Sequence, residues 1–364
     1  PSHAWLMHLH SIAWFAVLLV VVGALYRRYL GGGWIAATGL LLFAIEDAHA
    51  PTVATIAERH QLIAAVLVAA TLLAHHHWRR DAWSPGAWIG PSAFALALLC
   101  SETAVAALAY LLAYTLVLER APGPQQWGAF AVYAAIAGAW LLGAASFGYS
   151  VVDPLTDPLA TLAAVATHGP LLALGQLGMP FTEIVAAWPS PWAGAATVTG
   201  ALAVACFGWT LAPLLALNPI ARFWALGALL ALVPACLGFR GDTALLFASI
   251  GFAPLLAQFF AAVVYTARNG RLDSLRQPVV AVLVASVILH VVAAPLLLSL
   301  RTLAPLVAEA HVAANVAAAI AAGDTVEIDG FVAEVTSADA RGATEIEFRF
   351  DVPCDNESLR WVVW

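Results

Sequence analysis

Apolar stretches of roughly 20 residues recur along most of this 364-residue chain, and a helix of about that length spans a lipid bilayer. One such stretch would be an anchor, whereas many of them have to fold together. Hydrophobic residues make up 62% of the sequence and charged residues only 10%, far from the composition of soluble domains. The sequence therefore predicts an all-α polytopic membrane bundle.

The hydropathy pattern predicts about ten crossings. The second and third apolar segments are short for a full crossing. The longest run is too long for one helix, and it splits at Cys100, Ser101 and Glu102 into two short helices joined by a polar turn. The predicted segments are Leu6–Tyr26, Gly33–Ile45, Gln61–Leu73, Trp88–Leu118, Trp127–Phe147, Trp192–Leu217, Phe223–Leu237, Thr243–Ala267 and Val279–Ser299.

The arginines orient these segments, because short cytoplasmic loops are enriched in Lys and Arg. Nine arginines can all lie on the cytoplasmic side if the segment 148–191 stays on the extracytoplasmic side, as an excursion of the membrane domain. Its apolar part, Leu159–Leu177, is then an interfacial or re-entrant element that we expect to break at Gly169-Pro170. The arginines assigned to the inside are Arg27, Arg28, Arg79, Arg80, Arg120, Arg222, Arg268, Arg271 and Arg276.

The hydrophobic period changes after residue 300, which divides the chain into a membrane domain (1–300) and a C-terminal domain (301–364). An Ala-rich helix is predicted up to about Ala322, followed by alternating residues typical of a small sheet. Leu359–Trp364 is predicted to be a further strand. The helix count puts this β-rich appendage on the extracytoplasmic side. Since the chain starts at Pro1 without Met, we expect more sequence upstream, and the appendage is expected to be incomplete.

Composition excludes several functions. The four cysteines form no CxxC pair, so neither a zinc site nor a disulfide framework is expected. A net charge of −7 argues against nucleic acid as a partner. We expect no cofactor, while a divalent metal stays open.

Polar residues that are far apart in the sequence are predicted to meet at the outer membrane boundary. Carboxylates, imidazoles and an arginine at one lipid–water boundary supply a base, a phosphate clamp and hydrogen-bond donors for a leaving oxygen. Arginine suits phosphate because its planar fork donates two parallel hydrogen bonds. The group comprises His3, His8, His10, Glu46, Asp47, His49, Glu58, Arg59, His60, Ser101 and Glu102.

Each of these positions also has a purely structural interpretation. Glu46 and Glu58 are expected to be solvated helix caps, and Asp47 with His49 can cap a loop helix. Arg59 can extend to lipid headgroups from a helix end. Glu102 differs from these residues because it lies between two apolar runs, where an unpaired carboxylate is costly.

Two further histidine features are expected to be structural. The run His75-His76-His77 resembles a metal site, but consecutive helical residues point in different directions. His290, midway along the last apolar segment, is expected to be a satisfied core histidine.

Three stretches resemble membrane glycosyltransferases of the GT-C superfamily, and specifically the branch similar to protein O-mannosyltransferases and their bacterial relatives. They are HAWLMHLH from His3, FAIEDAHAPTVATIAERHQL from Phe43 and ALLCSETAVAALAYLLAY from Ala97. His3 and His10 match the family's histidine helix, Arg59 its loop arginine and Glu102 the glutamate of its Leu-Leu-Ser-Lys-Glu motif. The likeness covers roughly the first 120 residues.

The departures from the family pattern concern its catalytic residues. Leu6 replaces an asparagine, His60 and Gln61 replace a polar residue and an acid, and Cys100-Ser101 replaces Ser-Lys. The family's catalytic aspartate lies in a first extracytoplasmic loop, and this chain begins after that point.

The resemblance implies transfer of a sugar from a polyprenyl-phosphate carrier to an acceptor at the extracytoplasmic face of the bacterial inner membrane. It implies Glu102 and Asp47 as catalytic or positioning carboxylates, and Arg59, with His3, His10 and His49, as the group that binds the donor.

Two other functions remain open. A transporter or flippase would use Glu102, Asp47 and His290 as an ion path, and broken helices are typical of transporters. A non-catalytic scaffold would instead bind a partner through its C-terminal domain.

Overall fold

The apolar stretches form helices in a computed structural model of the protein, which describes residues 4–119, 123–146, 157–178, 182, 185, 192–237, 241–270, 277–302, 325–328, 331–339 and 342–350. Eight helices within these ranges are long and apolar enough to cross a membrane, and three more are shorter and apolar. The chain is therefore an integral membrane protein built as a helical bundle.

Twelve helices are named here in chain order within the described ranges. Short 3₁₀ turns, Asp47–His49, Ile56–Glu58, Glu102–Ala106 and Gly241–Ala244, connect some of them. The helices are α1 (Ala4–Leu30), α2 (Trp34–Ala44), α3 (Ala50–Ala54), α4 (Arg59–Asp81), α5 (Gly86–Cys100), α6 (Ala107–Val117), α7 (Pro124–Ser146), α8 (Pro158–Gln176), α9 (Trp192–Leu217), α10 (Pro219–Leu237), α11 (Leu245–Arg268) and α12 (Gln277–Thr302).

One end of the bundle is rich in arginine. Arg28, near the end of α1, pairs with Asp81 at the end of α4. Arg80 donates from Nη2 to the carbonyl oxygen of Leu118, next to the end of α6, at 2.8 Å. These contacts bring three helix ends together, and we call this side the arginine end.

The opposite side collects the start of α1, the end of α2, the start of α4 and the end of α5. Arg59 Nη2 donates to the Met7 carbonyl oxygen at 2.9 Å, which joins α4 to α1. Thr103 donates to Gln61 Oε1 at 3.1 Å, which joins the turn after α5 to α4. We call this side the acidic end, because Glu46, Asp47 and Glu102 lie on it.

Helix α11 is the centre of the bundle, since every residue from Leu245 to Phe259 is buried. Close packing rather than hydrophobic exclusion holds helices together in lipid. The Tyr110 hydroxyl of α6 donates to the Phe247 carbonyl oxygen at 2.7 Å. A Cβ atom on Gly251 would lie 2.8 Å from the Tyr110 ring, so glycine permits this approach.

The division of the run Trp88–Leu118 into two helices is confirmed. Helix α5 ends at Cys100, and Ser101 has an extended backbone with φ −156° and ψ 135°. A 3₁₀ turn from Glu102 to Ala106 then leads into α6. The polar pair Ser101-Glu102 thus marks the connection.

Helix α4 is longer than the sequence predicted. Gln61–Leu73 looked too short to cross a membrane, yet the helix continues to Asp81 and has 23 residues. His75 and His76, which follow the predicted segment, are buried against aromatic rings. His75 packs edge-on against Tyr114 and Tyr133, with ring centroids 4.9 Å and 5.4 Å away.

The predicted break at Gly169-Pro170 is wrong, because α8 runs continuously from Pro158 to Gln176. A proline inside a helix needs space for a displaced backbone. Gly200 of α9 provides that space, since a Cβ atom there would lie 2.3 Å from the Pro170 carbonyl oxygen. At the end of α8, buried Gln176 accepts a hydrogen bond from Ser249 of α11 at 3.1 Å.

Residues 303–364 form a second compact unit, separate from the unit 1–302. Three strands form an antiparallel sheet in the order β1 (Thr325–Ile328), β2 (Phe331–Asp339) and β3 (Gly342–Phe350). Val335 pairs with Ile346, and the register shifts beyond Val335. The predicted Ala-rich helix up to Ala322 and the predicted strand Leu359–Trp364 lie outside the described residues.

Candidate functional site

Arg59 lies at the acidic end, where α4 begins beside α1. Its Nε donates to Ser11 Oγ at 3.2 Å and its Nη2 to the Met7 carbonyl oxygen at 2.9 Å. A guanidinium has five N–H donors. Arg59 Nη1 also donates to Met7 Sδ, at 4.0 Å. Within the described residues these three bonds orient the half-buried side chain and leave two donors for an incoming anion.

Glu102 is exposed at the same end, and a chain of polar side chains links its turn to the start of α4. Gln61 donates to Glu58 Oε2 at 3.0 Å, and Thr103 donates to Gln61 Oε1 at 3.1 Å. Ser101 Oγ lies 2.7 Å from Thr103 Oγ1. Because Arg59 lies between Glu58 and Gln61 in sequence, and Glu102 between Ser101 and Thr103, this chain brings the two predicted residues to one neighbourhood.

Asp47 is buried, and its ion-pair partner, Arg301, lies near the C-terminal end of the membrane domain in sequence. Arg301 Nη1 of α12 lies 2.9 Å from Asp47 Oδ2, and the two side chains are 3% and 6% exposed. Removing either charge takes the other's ion-pair partner away in a medium of low dielectric constant, which is costly. The ion pair therefore fastens the last helix to the loop after α2.

Glu46 is not the solvated cap that the sequence indicated, because only 4% of the residue is exposed. Its Oε2 lies 3.2 Å from Nδ1 of buried His290. His290 belongs to a π-helical turn, Ile288–Ala293, within α12, and such turns are frequent at functional sites. The expectation that His290 is a buried, hydrogen-bonded histidine is confirmed.

His49 lies inside the bundle rather than on its surface. The rings of Phe43 and Phe15 lie 4.6 Å and 6.0 Å from its ring centroid. Burial, opposed by the charge of Glu46, lowers the pKa of His49 to about 4. The imidazole is therefore neutral at physiological pH.

Several buried polar atoms near His49 have no hydrogen-bond partner among the described residues. They include Glu46 Oε1 and Thr52 Oγ1. Buried polar atoms in proteins are normally paired with protein groups or with ordered water. These atoms therefore mark a place where water or a polar ligand atom can bind beneath the acidic end.

Of the two histidines predicted to assist Arg59, the described one, His10, makes no hydrogen bond to it. His3 lies outside the described residues. His10 is exposed and accepts a hydrogen bond from Trp14 Nε1 at 3.0 Å, while Arg59 contacts Met7 and Ser11.

No group of three or more His, Cys, Asp or Glu side chains in the described ranges could hold a metal ion. His75, His76 and His77 point in different directions, as their positions on one helix require. His75 contacts Tyr133, and His77 Nδ1 lies 2.6 Å from Asp81 Oδ2.

The sequence did not reveal that His290 and Arg301 of α12 contact Glu46 and Asp47. Nor did it reveal the hydrogen bonds through which Gln61 links Glu58 to Thr103. His290 and Arg301 are eleven residues apart, about three helical turns, so they share one side of α12. A histidine and an arginine on one side of the last helix, opposite the adjacent acids Glu46 and Asp47, were the pattern that could have revealed both contacts.

Comparison with protein-family models, with curated proteins and with solved structures finds no match to this chain. The function is therefore argued from the geometry of the acidic end.

Proposed function

We propose that the chain is a GT-C-like membrane glycosyltransferase whose donor, a polyprenyl-phosphate sugar, binds at the acidic end. One observation carries the proposal: the bridge through Glu58, Gln61 and Thr103 joins the turn of Glu102 to the helix start that carries Arg59. A phosphate-binding arginine and an exposed carboxylate then face the same boundary.

Arg59 binds the carrier phosphate in this proposal. Its hydrogen bonds to Ser11 and to the Met7 carbonyl oxygen fix the guanidinium before the ligand arrives, which lowers the entropy cost of binding. The remaining donors neutralise the charge that grows on the phosphate as it leaves.

Glu102 is the general base. It accepts the proton of the acceptor hydroxyl while that oxygen forms a bond to the anomeric carbon of the sugar. The bond between the anomeric carbon and the phosphate oxygen breaks, and the carrier phosphate leaves with the electron pair.

Asp47 is a positioning residue in this scheme rather than the base, because Arg301 already engages its carboxylate. The ion pair holds α12 against the loop between α2 and α4. That loop leads directly into Arg59, so the pair sets the position of the phosphate clamp.

The orientation follows the charge rule for short loops. Arg27, Arg28, Arg79 and Arg80 at the arginine end favour a cytoplasmic location for that end. The acidic end would then face the periplasm or cell exterior of a bacterial inner membrane, with the C-terminal sheet as an extracytoplasmic appendage.

The test measures cleavage of a radiolabelled polyprenyl-phosphate mannose by the full chain in proteoliposomes. Glu102→Gln is expected to lower kcat at least about 100-fold with little change in KM. Arg59→Gln is expected to raise KM for the donor about tenfold or more. Arg222→Gln, the same change at an exposed position of the arginine end, is the matched control and is expected to match the unaltered protein.

Two results would contradict the enzyme. One is that the unaltered protein leaves the donor intact. The other is that Glu102→Gln and Arg59→Gln cleave it as fast as Arg222→Gln does.

A transporter is the second candidate, and the buried pair of Glu46 with His290 favours it. His290 lies in a π-helical turn of α12 and Glu46 in the loop after α2, and a buried imidazole–carboxylate pair inside a membrane bundle is typical of proton pathways. In that case His290→Gln would abolish proton-coupled uptake in proteoliposomes, and no variant would affect donor cleavage.

A further inference from the structure

A cavity of about 520 Å³ opens at the arginine end, on the side of the bundle opposite the proposed active site. Arg28 and Arg80 line it from α1 and α4, and Asp81 adds one carboxylate. Two permanent positive charges against one negative charge give its walls a net positive charge. The remaining lining residues are Tyr29, His76, Leu118, Pro219 and Ile220.

Two polar side chains of this cavity are buried without a hydrogen-bond partner among the described residues. They are the Tyr29 hydroxyl and His76 Nδ1, in residues that are 5% and 8% exposed. Their rings lie against each other with centroids 4.2 Å apart. Buried groups of this kind bind water or a ligand, since a buried polar atom without a partner is costly.

Apolar cavities adjoin the charged cavity on both sides. The first, of about 710 Å³ between α1, α2 and α4, shares Arg28 with it and also contains Arg27 at its edge. The second, of about 270 Å³ beside α9, α10 and α11, shares Tyr29 and Ile220. A polar centre with two apolar grooves matches a phospholipid, which has one phosphate and two acyl chains.

We propose that the arginine end is a binding site for an anionic phospholipid. The lipid phosphate accepts hydrogen bonds from Arg28, Arg80 and the Tyr29 hydroxyl, and its acyl chains lie in the two apolar grooves. The basic charge selects an anionic headgroup over a zwitterionic one, because polybasic sites near a membrane attract anionic lipids. The bound lipid ties α1, α4 and α10 together at this end.

The experiment compares lipids retained by the purified full chain, measured by native mass spectrometry after exchange into defined lipid–detergent mixtures. Equimolar phosphatidylglycerol and phosphatidylcholine are expected to bind in a ratio of about 10 to 1. Arg80→Gln is expected to lower that ratio to about 2 or less. Tyr29→Phe removes a hydrogen bond to the phosphate that both lipids share, so it is expected to lower the amount of each bound lipid about threefold and to keep the ratio. Arg222→Gln at the same end lies outside the cavity and is expected to keep the ratio.

Three outcomes would overturn the proposal. Equal losses with Arg222→Gln and Arg80→Gln would mean diffuse surface attraction rather than a site. Displacement of phosphatidylglycerol by millimolar inorganic phosphate would mean that the cavity takes free phosphate rather than a lipid. Unchanged retention of phosphatidylglycerol by Tyr29→Phe, or an unchanged ratio in a folded Arg80→Gln, would remove the cavity from binding altogether. Tyr29→Phe keeps the ring packing, so it tests the site even if Arg80→Gln does not fold.

Discussion

Replacement of Arg301 by methionine is expected to destabilise the bundle strongly. The Arg301–Asp47 pair has an N–O separation of 2.9 Å, and both side chains are nearly inaccessible to solvent. At an effective dielectric constant of about 20, two unit charges at that distance attract by about 6 kcal/mol. Desolvation offsets part of this energy, and removing one partner of a buried pair typically costs about 3–5 kcal/mol.

The measurement is unfolding of the detergent-solubilised protein by SDS, followed through its 14 tryptophans. Arg301→Met is expected to lower the free energy of unfolding by about 3–5 kcal/mol. Adding Asp47→Leu should recover most of the loss, because the stranded carboxylate is then gone. Arg349→Met, which removes an exposed ion pair with Glu334, is the control and should leave the unfolding of the bundle unchanged.

If Arg301→Met and Arg349→Met changed the free energy of unfolding equally, the buried ion pair would not be what stabilises the bundle. A double variant that is less stable than Arg301→Met would also contradict this prediction, since it would show that Asp47 contributes without its partner.

Three other predictions concern the packing of the bundle and the region beneath the acidic end. Burial lowers the pKa of His49 to about 4 in the folded chain, below its value in the unfolded chain. The contribution of neutral His49 to the free energy of unfolding should therefore be fully present above pH 6.5, and up to about 3 kcal/mol of it should be lost as the pH drops toward 4. His49→Phe should flatten that pH dependence of unfolding, and an unchanged slope would contradict it. Gly200→Ala forces a methyl group against the Pro170 carbonyl oxygen and should cost about 1–3 kcal/mol, whereas Gly208→Ala on the same helix meets nothing and should be neutral. Tyr110→Phe loses the hydroxyl that bonds to a carbonyl oxygen of α11, so the midpoint of SDS unfolding should fall by the equivalent of about 1 kcal/mol.

The helices could be predicted from the sequence because a bilayer requires apolar stretches of a set length. The turn at Ser101 could also be predicted, because polar residues inside an apolar run are costly unless they lie in an exposed connection between two helices. Prediction failed where an aromatic neighbour changed the environment. His75 and His76 looked like the end of a helix, but Tyr114 and Tyr29 cover them.

The candidate site was predicted in part. Arg59 and Glu102 were expected at one end, and the contacts through Gln61 join their surroundings. The partners of Glu46 and Asp47 were missed because they lie 244 and 254 residues away in the sequence. Hydropathy gives the depth of a residue along a helix, but it carries no information about which helices are neighbours.

The central claim is that Arg59 and Glu102 share one carrier-binding boundary, and side-specific thiol labelling tests it most directly. Arg59→Cys, Glu102→Cys and Arg222→Cys are each made in a chain whose four native cysteines are replaced by serine, and proteoliposomes are treated with a membrane-impermeant maleimide. Positions 59 and 102 are expected to react from one side of the membrane and position 222 from the other. Polyprenyl phosphate is expected to protect positions 59 and 102 alone. Labelling of 59 and 102 from opposite sides, or protection of neither by the carrier, would contradict the claim.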